Sequence, residues 1–127
     1  LLDEYDEVYF WPQQEGDIAY FNSLGVQGVK YIAPNLDSYN RYLADHDTDY
    51  IGARLHGGIR ALQNFKRSLI VAVDIRATEI SRSTNLPIVP LGDIDAVRNW
   101  IHSAARTEIR LPHEAIERWR SQFKSLL

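Results

Sequence analysis

Short apolar runs alternate with longer amphipathic stretches along this chain. Glu7–Pro12 (EVYFWP) is aromatic and β-branched, which predicts a strand. GDIAYFNSLG follows, and predicts a helix with Asp17 as N-cap and Gly25 as its stop. Val29–Pro34 (VKYIAP) predicts a second strand. LDSYNRYLADH predicts a helix with Leu36, Tyr39 and Leu43 on one side. DYIGA predicts a third strand, followed by a helix beginning near Leu55. Ser68–Asp74 (SLIVAVD) has five apolar residues in a row, as a strand covered on both faces requires. RATEISRST predicts a short helix or turn. LPIVPL predicts an edge strand, because Pro87 and Pro90 cannot serve a central one.

The last 35 or so residues carry helical spacing, by the amphipathic rule. Asp93 can cap a helix with Ile94, Val97, Ile101 and Ala104 on one face. Pro112 suits a first helical turn, with Glu114 and Glu117 near its positive end. Ile116, Trp119, Phe123 and Leu126 form an apolar stripe whose expected use is core packing.

A strand–helix alternation of this kind predicts an α/β fold of Rossmann-like, three-layer type. It has a mostly parallel sheet, helices on both faces, and two helices at its end. Right-handed crossovers put every strand's carboxyl end on one edge, where ligands of such sheets bind.

Composition narrows the picture. The 127 residues suit one domain, residues 1–127, with 45% apolar content. A net charge of −3 argues against a nucleic-acid binder that relies on a basic surface. There is no cysteine, so disulfides and thiolate metal sites are out of reach. No apolar run approaches the roughly 20 residues that span a bilayer, and no signal peptide is visible. The chain starts at Leu1 and contains no methionine, which reads as the carboxy-terminal piece of a longer protein.

The candidate chemistry sits where predicted strands end. DYIGARLHGGIRAL, Asp49 to Leu62, turns from strand to helix at Arg54, His56, Gly57 and Gly58. Backbone N–H groups at a helix start lack helical partners and, with the dipole, favour anions. Glycines let a ligand approach closely, yet two in a row weaken a helix by roughly 1 kcal/mol each. Arg54 offers a planar donor fork for carboxylate or phosphate, and Arg60 can share the helical face of His56. An arriving dianion favours a charged imidazole, so His56 is placed to become a proton donor once substrate binds. The structural alternative is that Arg54 pairs with Asp49 or Asp74, His56 caps the helix, and the glycines serve helix-to-sheet packing.

Asp74, Arg76 and Glu79 follow the most apolar strand and can contact a ligand; Arg76 and Glu79 can equally form a surface pair. Gln13, Gln14 and Asp17 close the first strand and can line the same edge, with capping the stronger expectation for Asp17. Asp45–Asp49 (DHDTD) begins like a calcium loop. Tyr50 and His56 stand where glycine and glutamate are required, so a solvated turn is expected. The four histidines are scattered, and no metal is expected. Neither a Walker loop, nor Gly-x-Gly-x-x-Gly, nor a Gly-x-Ser-x-Gly elbow occurs.

The stretch from about Val8 to Val89 resembles the polysaccharide pyruvyl transferase family. The likeness is carried by RLHG at Arg54–Gly57, with DIRATEI and NLPIV downstream. The resemblance implies a two-domain GT-B-like enzyme, of which this chain is the carboxy-terminal half and the amino-terminal domain is missing. It implies transfer of pyruvate from phosphoenolpyruvate to hydroxyls of a saccharide acceptor, in cytoplasmic steps of bacterial surface polysaccharide synthesis, with no cofactor. Arg54 and His56 correspond to residues at the donor site. Gly57, Gly58, Arg60, Asp74, Arg76, Glu79 and Gln13 are then candidates for substrate contact. The isolated piece is expected to be inactive. A nucleotide-sugar glycosyltransferase half and a non-catalytic sugar- or anion-binding module are the competing readings.

Overall fold

The computed structural model describes residues 1–104 and 106–124. It shows an α/β protein in which every strand pair is parallel and the chain ends in two helices. The strands form two sheets, one of two strands and one of three. These sheets belong to two compact units, Leu1–Thr48 and Asp49–Leu127.

The first unit runs β1 (Val8–Phe10), α1 (Glu15–Ser23), β2 (Val29–Tyr31) and α2 (Leu36–Asp45). Its sheet pairs Val8 with Val29 and Phe10 with Tyr31. The aromatic run that predicts β1 also builds the core, because neighbouring strand residues point to opposite faces. Phe10 stacks on Phe21 of α1 with centroids 4.5 Å apart. Trp11 stacks on Tyr39 of α2 at 3.8 Å, and Tyr9 meets Tyr42 at 4.7 Å. One helix therefore covers each face. Such pairs contribute about 0.5–1.5 kcal/mol each beyond the area they bury.

Two local expectations are refined here. Asp17 is the third residue of α1 rather than its N-cap, which is Gln14. From that position its carboxylate accepts the N–H groups of Gln13 and Gln14, both at 3.1 Å. Leu36 does not share the buried side of Tyr39 and Leu43; it is the first helical residue, beyond the sheet's end, and is exposed. Gly25 ends α1 as expected, with φ at +64° and its N–H on the Asn22 carbonyl.

The second unit contains β3 (Asp49–Gly52), α3 (Leu55–Gln63), β4 (Arg67–Ala72), α4 (Ile75–Thr84), β5 (Ile88–Pro90), α5 (Ile94–His102) and α6 (His113–Lys124). The strand order is β3-β4-β5, so the apolar β4 is central and the proline-flanked β5 is an edge. Ser68 and Ile70 of β4 point to the face that carries α3 and α4. There Ile70 packs with Ala77 and Leu86, and Leu55, Leu62 and Ile80 close around them. Arg67 points the other way. Its guanidinium lies 4.2 Å from the Trp100 ring centre, donates to the Trp100 carbonyl at 2.6 Å, and faces Asp49 at 3.7 Å. That places α5 on the opposite face.

Two residues other than glycine take positive φ at turns in this unit: Phe65 after α3 and Asn85 after α4. Asp93 caps α5 as predicted, accepting the Ala96 N–H at 3.0 Å. Ala104 falls beyond the end of α5, and Val97 and Ile101 are half-buried.

The stripe on α6 departs from its expected use. No residue of α6 is buried; Trp119 and Phe123 are exposed and touch each other at 4.9 Å. Leu126 lies outside the described residues. Amphipathic spacing specifies an apolar face, but only tertiary packing supplies something to cover it.

One contact sets how closely α3 approaches the sheet. A Cβ on Gly58 would stand 2.1 Å from Cδ1 of Ile70 and 3.1 Å from the Tyr50 ring. Gly58→Ala is expected to destabilise the protein by about 1–3 kcal/mol through overpacking, more than the roughly 1 kcal/mol gained in helix propensity. Ile70→Val removes the clashing methyl. In urea denaturation the double variant should therefore be more stable than the sum of the two single losses, whereas strict additivity would remove this account of Gly58.

Candidate functional site

The strand-to-helix turns of the chain follow one scheme, with a single departure. Asn35 caps α2 by accepting the Ser38 N–H, Asp74 caps α4 by accepting the Arg76 N–H, and Asp93 caps α5. At α1 the N-cap Gln14 and Asp17 form a capping box, in which Asp17 accepts the Gln14 N–H. At the start of α3 the cap residue is Arg54, which makes no side-chain cap bond. A cation is an unfavourable N-cap, since the helix end is already positive. Among the described strand-to-helix turns, this is the one with neither a side-chain cap bond nor a capping box.

The backbone of the turn is nonetheless firmly held. The Arg54 carbonyl accepts the N–H groups of Gly57 at 3.1 Å and Gly58 at 3.3 Å, and the Tyr50 hydroxyl at 2.8 Å. Gly57 and Gly58 are buried. Their amides are thus engaged within the turn, and the close approach at Gly58 is made by the sheet. The amides left without a helical carbonyl are those of Leu55 and His56, the first two helical residues. The side chains of Arg54 and His56 are exposed beside them. The imidazole therefore has direct access to solvent.

The other candidates fall into place around this turn, or away from it. Arg60 is half-buried and donates to Gln63 Oε1 at 3.3 Å, toward the far end of α3. At the neighbouring start of α4, Arg76 grips Oδ2 of Asp74 with Nη2 at 2.6 Å and Nε at 3.0 Å. The Arg76 guanidinium holds the Asp74 carboxyl below the usual range, and the carboxylate raises Arg76 in turn. Glu79 pairs with Arg82 at 2.7 Å, and Arg76 is committed to Asp74, so the expected Arg76–Glu79 pair gives way to these two. Nε and Nη2 converge on one Asp74 oxygen, Oδ2, and that takes up the fork. Gln13 belongs to the first unit, half-buried, with its N–H on Asp17.

Three features of this region escape sequence reasoning. Tyr50 lies under the turn, its ring against Gly58 and its hydroxyl 2.8 Å from where a Gly52 Cβ would be. Ser68 is fully buried and donates to the Gly58 carbonyl at 2.8 Å. Val73, Ile75, Leu91 and Ile94, at the two neighbouring strand-to-helix turns, are all more than half exposed. The register pairs Ala72 with Pro90, so Val73 and Leu91 leave their strands side by side along one edge. A usable signal existed for Ser68, since a hydroxyl in a buried strand requires a partner.

Comparison with protein-family models, with curated proteins and with solved structures finds no match. The chemistry of the turn must therefore speak for itself. It offers a guanidinium, an imidazole and two helix-start amides at the carboxyl edge of a parallel strand, which suits a small anion with an ionisable or protonatable centre. No helix among the described residues is long and apolar enough to cross a membrane.

Burial pushes the Tyr50 phenol up to about 12, against the smaller pull of the Arg54 charge. The folded state therefore holds this proton more tightly than the unfolded chain. Stability is complete below about pH 10 and falls between about pH 10 and 12, by roughly 2–3 kcal/mol at about 1.4 kcal/mol per unit. Tyr42 is also raised by its burial, but it stands in both proteins when the parent is compared with Tyr50→Phe. Denaturation midpoints measured across this window should fall more steeply for the parent than for Tyr50→Phe; parallel curves would contradict the assignment.

Proposed function

We propose that this chain carries the donor-binding turn of a pyruvyl transferase that acts on saccharides. The observation that supports it is the uncapped start of α3, where Arg54 and His56 are both exposed beside the free Leu55 and His56 amides. Phosphoenolpyruvate carries a phosphate and a carboxylate. Arg54 provides a fork for one of them and the helix-start amides provide donors for the other.

The reaction then needs a proton and a departing phosphate. Protonation of the methylene carbon of the enol converts it to a methyl group and leaves a cationic centre at the adjacent carbon. One sugar hydroxyl adds to that carbon and gives up its proton. The carbon–oxygen bond to phosphate breaks, and a second hydroxyl closes the ketal with loss of another proton. His56 serves as the acid that protonates the enol or stabilises the departing phosphate. Asp74 and Arg76, neutralising each other at the start of α4, present a dipolar edge suited to sugar hydroxyls.

The aliphatic side chains exposed along the same edge support a second wall over this site, as an amino-terminal domain would form. The reading brings with it a cytoplasmic location, a saccharide acceptor and no cofactor.

The test is kinetic and is made on the complete enzyme. His56→Ala should lower kcat by about 10²–10⁴-fold, as loss of a general acid does. Arg54→Ala should raise the KM for phosphoenolpyruvate. Turnover near that of the parent in both variants would end this reading. Saturable binding of a nucleotide sugar in place of phosphoenolpyruvate would instead favour a glycosyltransferase, and binding without any transfer would favour an anion-binding module.

A further inference from the structure

We infer that Tyr50 is a positioning residue for the anion-binding turn, acting through the peptide that joins Arg54 to Leu55. The inference rests on the reading of that turn as a donor site. A peptide unit is planar and trans, so the Arg54 carbonyl and the Leu55 N–H point in opposite directions. The carbonyl is directed inward by three donors: the Tyr50 hydroxyl at 2.8 Å and the amides of Gly57 and Gly58. The Leu55 N–H is thereby directed outward, off the helix start, where an anion would lie.

The strap has a physical reason. Gly58 is required because the sheet fills the place of its side chain. With Gly57 it puts two residues of poor helix propensity in the first turn, the part of a helix most prone to fray. A side-chain donor anchored in the sheet opposes that fraying without occupying the outward-facing amides. An ordinary capping side chain would stabilise the turn equally well, but it would fill those amides itself. Tyr50 stabilises from below and leaves them for a ligand. Gly52 belongs to the same device: a Cβ there would collide with the Tyr50 hydroxyl at 2.8 Å, so glycine keeps the path of the phenol open.

The experiment titrates the 127-residue chain with phosphoenolpyruvate and with inorganic phosphate, reading amide resonances by NMR. Tyr50→Phe deletes the hydroxyl, and Gly52→Ala displaces it while keeping the tyrosine. Both should weaken phosphoenolpyruvate binding at least fivefold and shift the Leu55 and His56 amide resonances of the free protein. Ser68→Ala removes a different bond to the same helix, at the Gly58 carbonyl. It should lower stability yet leave affinity unchanged. The proposal falls if Tyr50→Phe binds like the parent while Arg54→Ala abolishes binding, a result that leaves the donor-site reading intact. It falls also if Ser68→Ala weakens binding as much as Tyr50→Phe, since the effect is then general loosening. Failure of the parent to bind either anion overturns the reading of the turn and this inference with it.

Discussion

The approach of α3 to β4 at Gly58 governs the second unit. The Ile70 methyl occupies the volume that any side chain at that position would need, and the Tyr50 ring fills the space beside it. Close helix-to-sheet contact of this kind gains dispersion energy, because the backbone itself becomes a packing surface. It also fixes where the helix begins. With Gly58 seated on β4, the first turn of α3 can only start at the end of β3, and Arg54 is carried to the edge of the sheet.

The electrostatic character of that edge follows from how each turn satisfies its amides. The starts of α4 and α5 are met by carboxylates, Asp74 and Asp93, that complement the positive helix end. At the start of α3 a guanidinium stands in that place. A local rule is broken at the same turn where two glycines weaken the helix and a half-buried phenol braces it. Departures of this kind concentrate at functional sites, because a sequence selected for stability alone would remove them.

The two units solve the packing problem with different materials. The first covers a short sheet with stacked rings, Phe10 on Phe21 and Trp11 on Tyr39. Large rings suit two strands of three residues, since each buries much area per residue. The second unit has a third strand and a central run of aliphatics, and packs Ile70, Ala77 and Leu86 as its core. Its last helix contributes a patterned face without a buried residue.

The sequence by itself determined the order of strands and helices, the edge position of β5, the stop at Gly25 and the cap at Asp93. Each of these is governed by a residue and its neighbours within about a turn: proline lacks a donor, glycine tolerates positive φ, and aspartate reaches amides close by in the chain. It also placed Arg54 and His56 where a strand turns into a helix. Only the tertiary structure decided that the strands divide into two sheets, that Gly58 faces Ile70 rather than a ligand, that Tyr50 braces the turn, and that the α6 stripe stays uncovered. Those outcomes depend on which surfaces meet across the fold. A propensity or spacing pattern specifies a face, but it carries no information about what arrives to cover it.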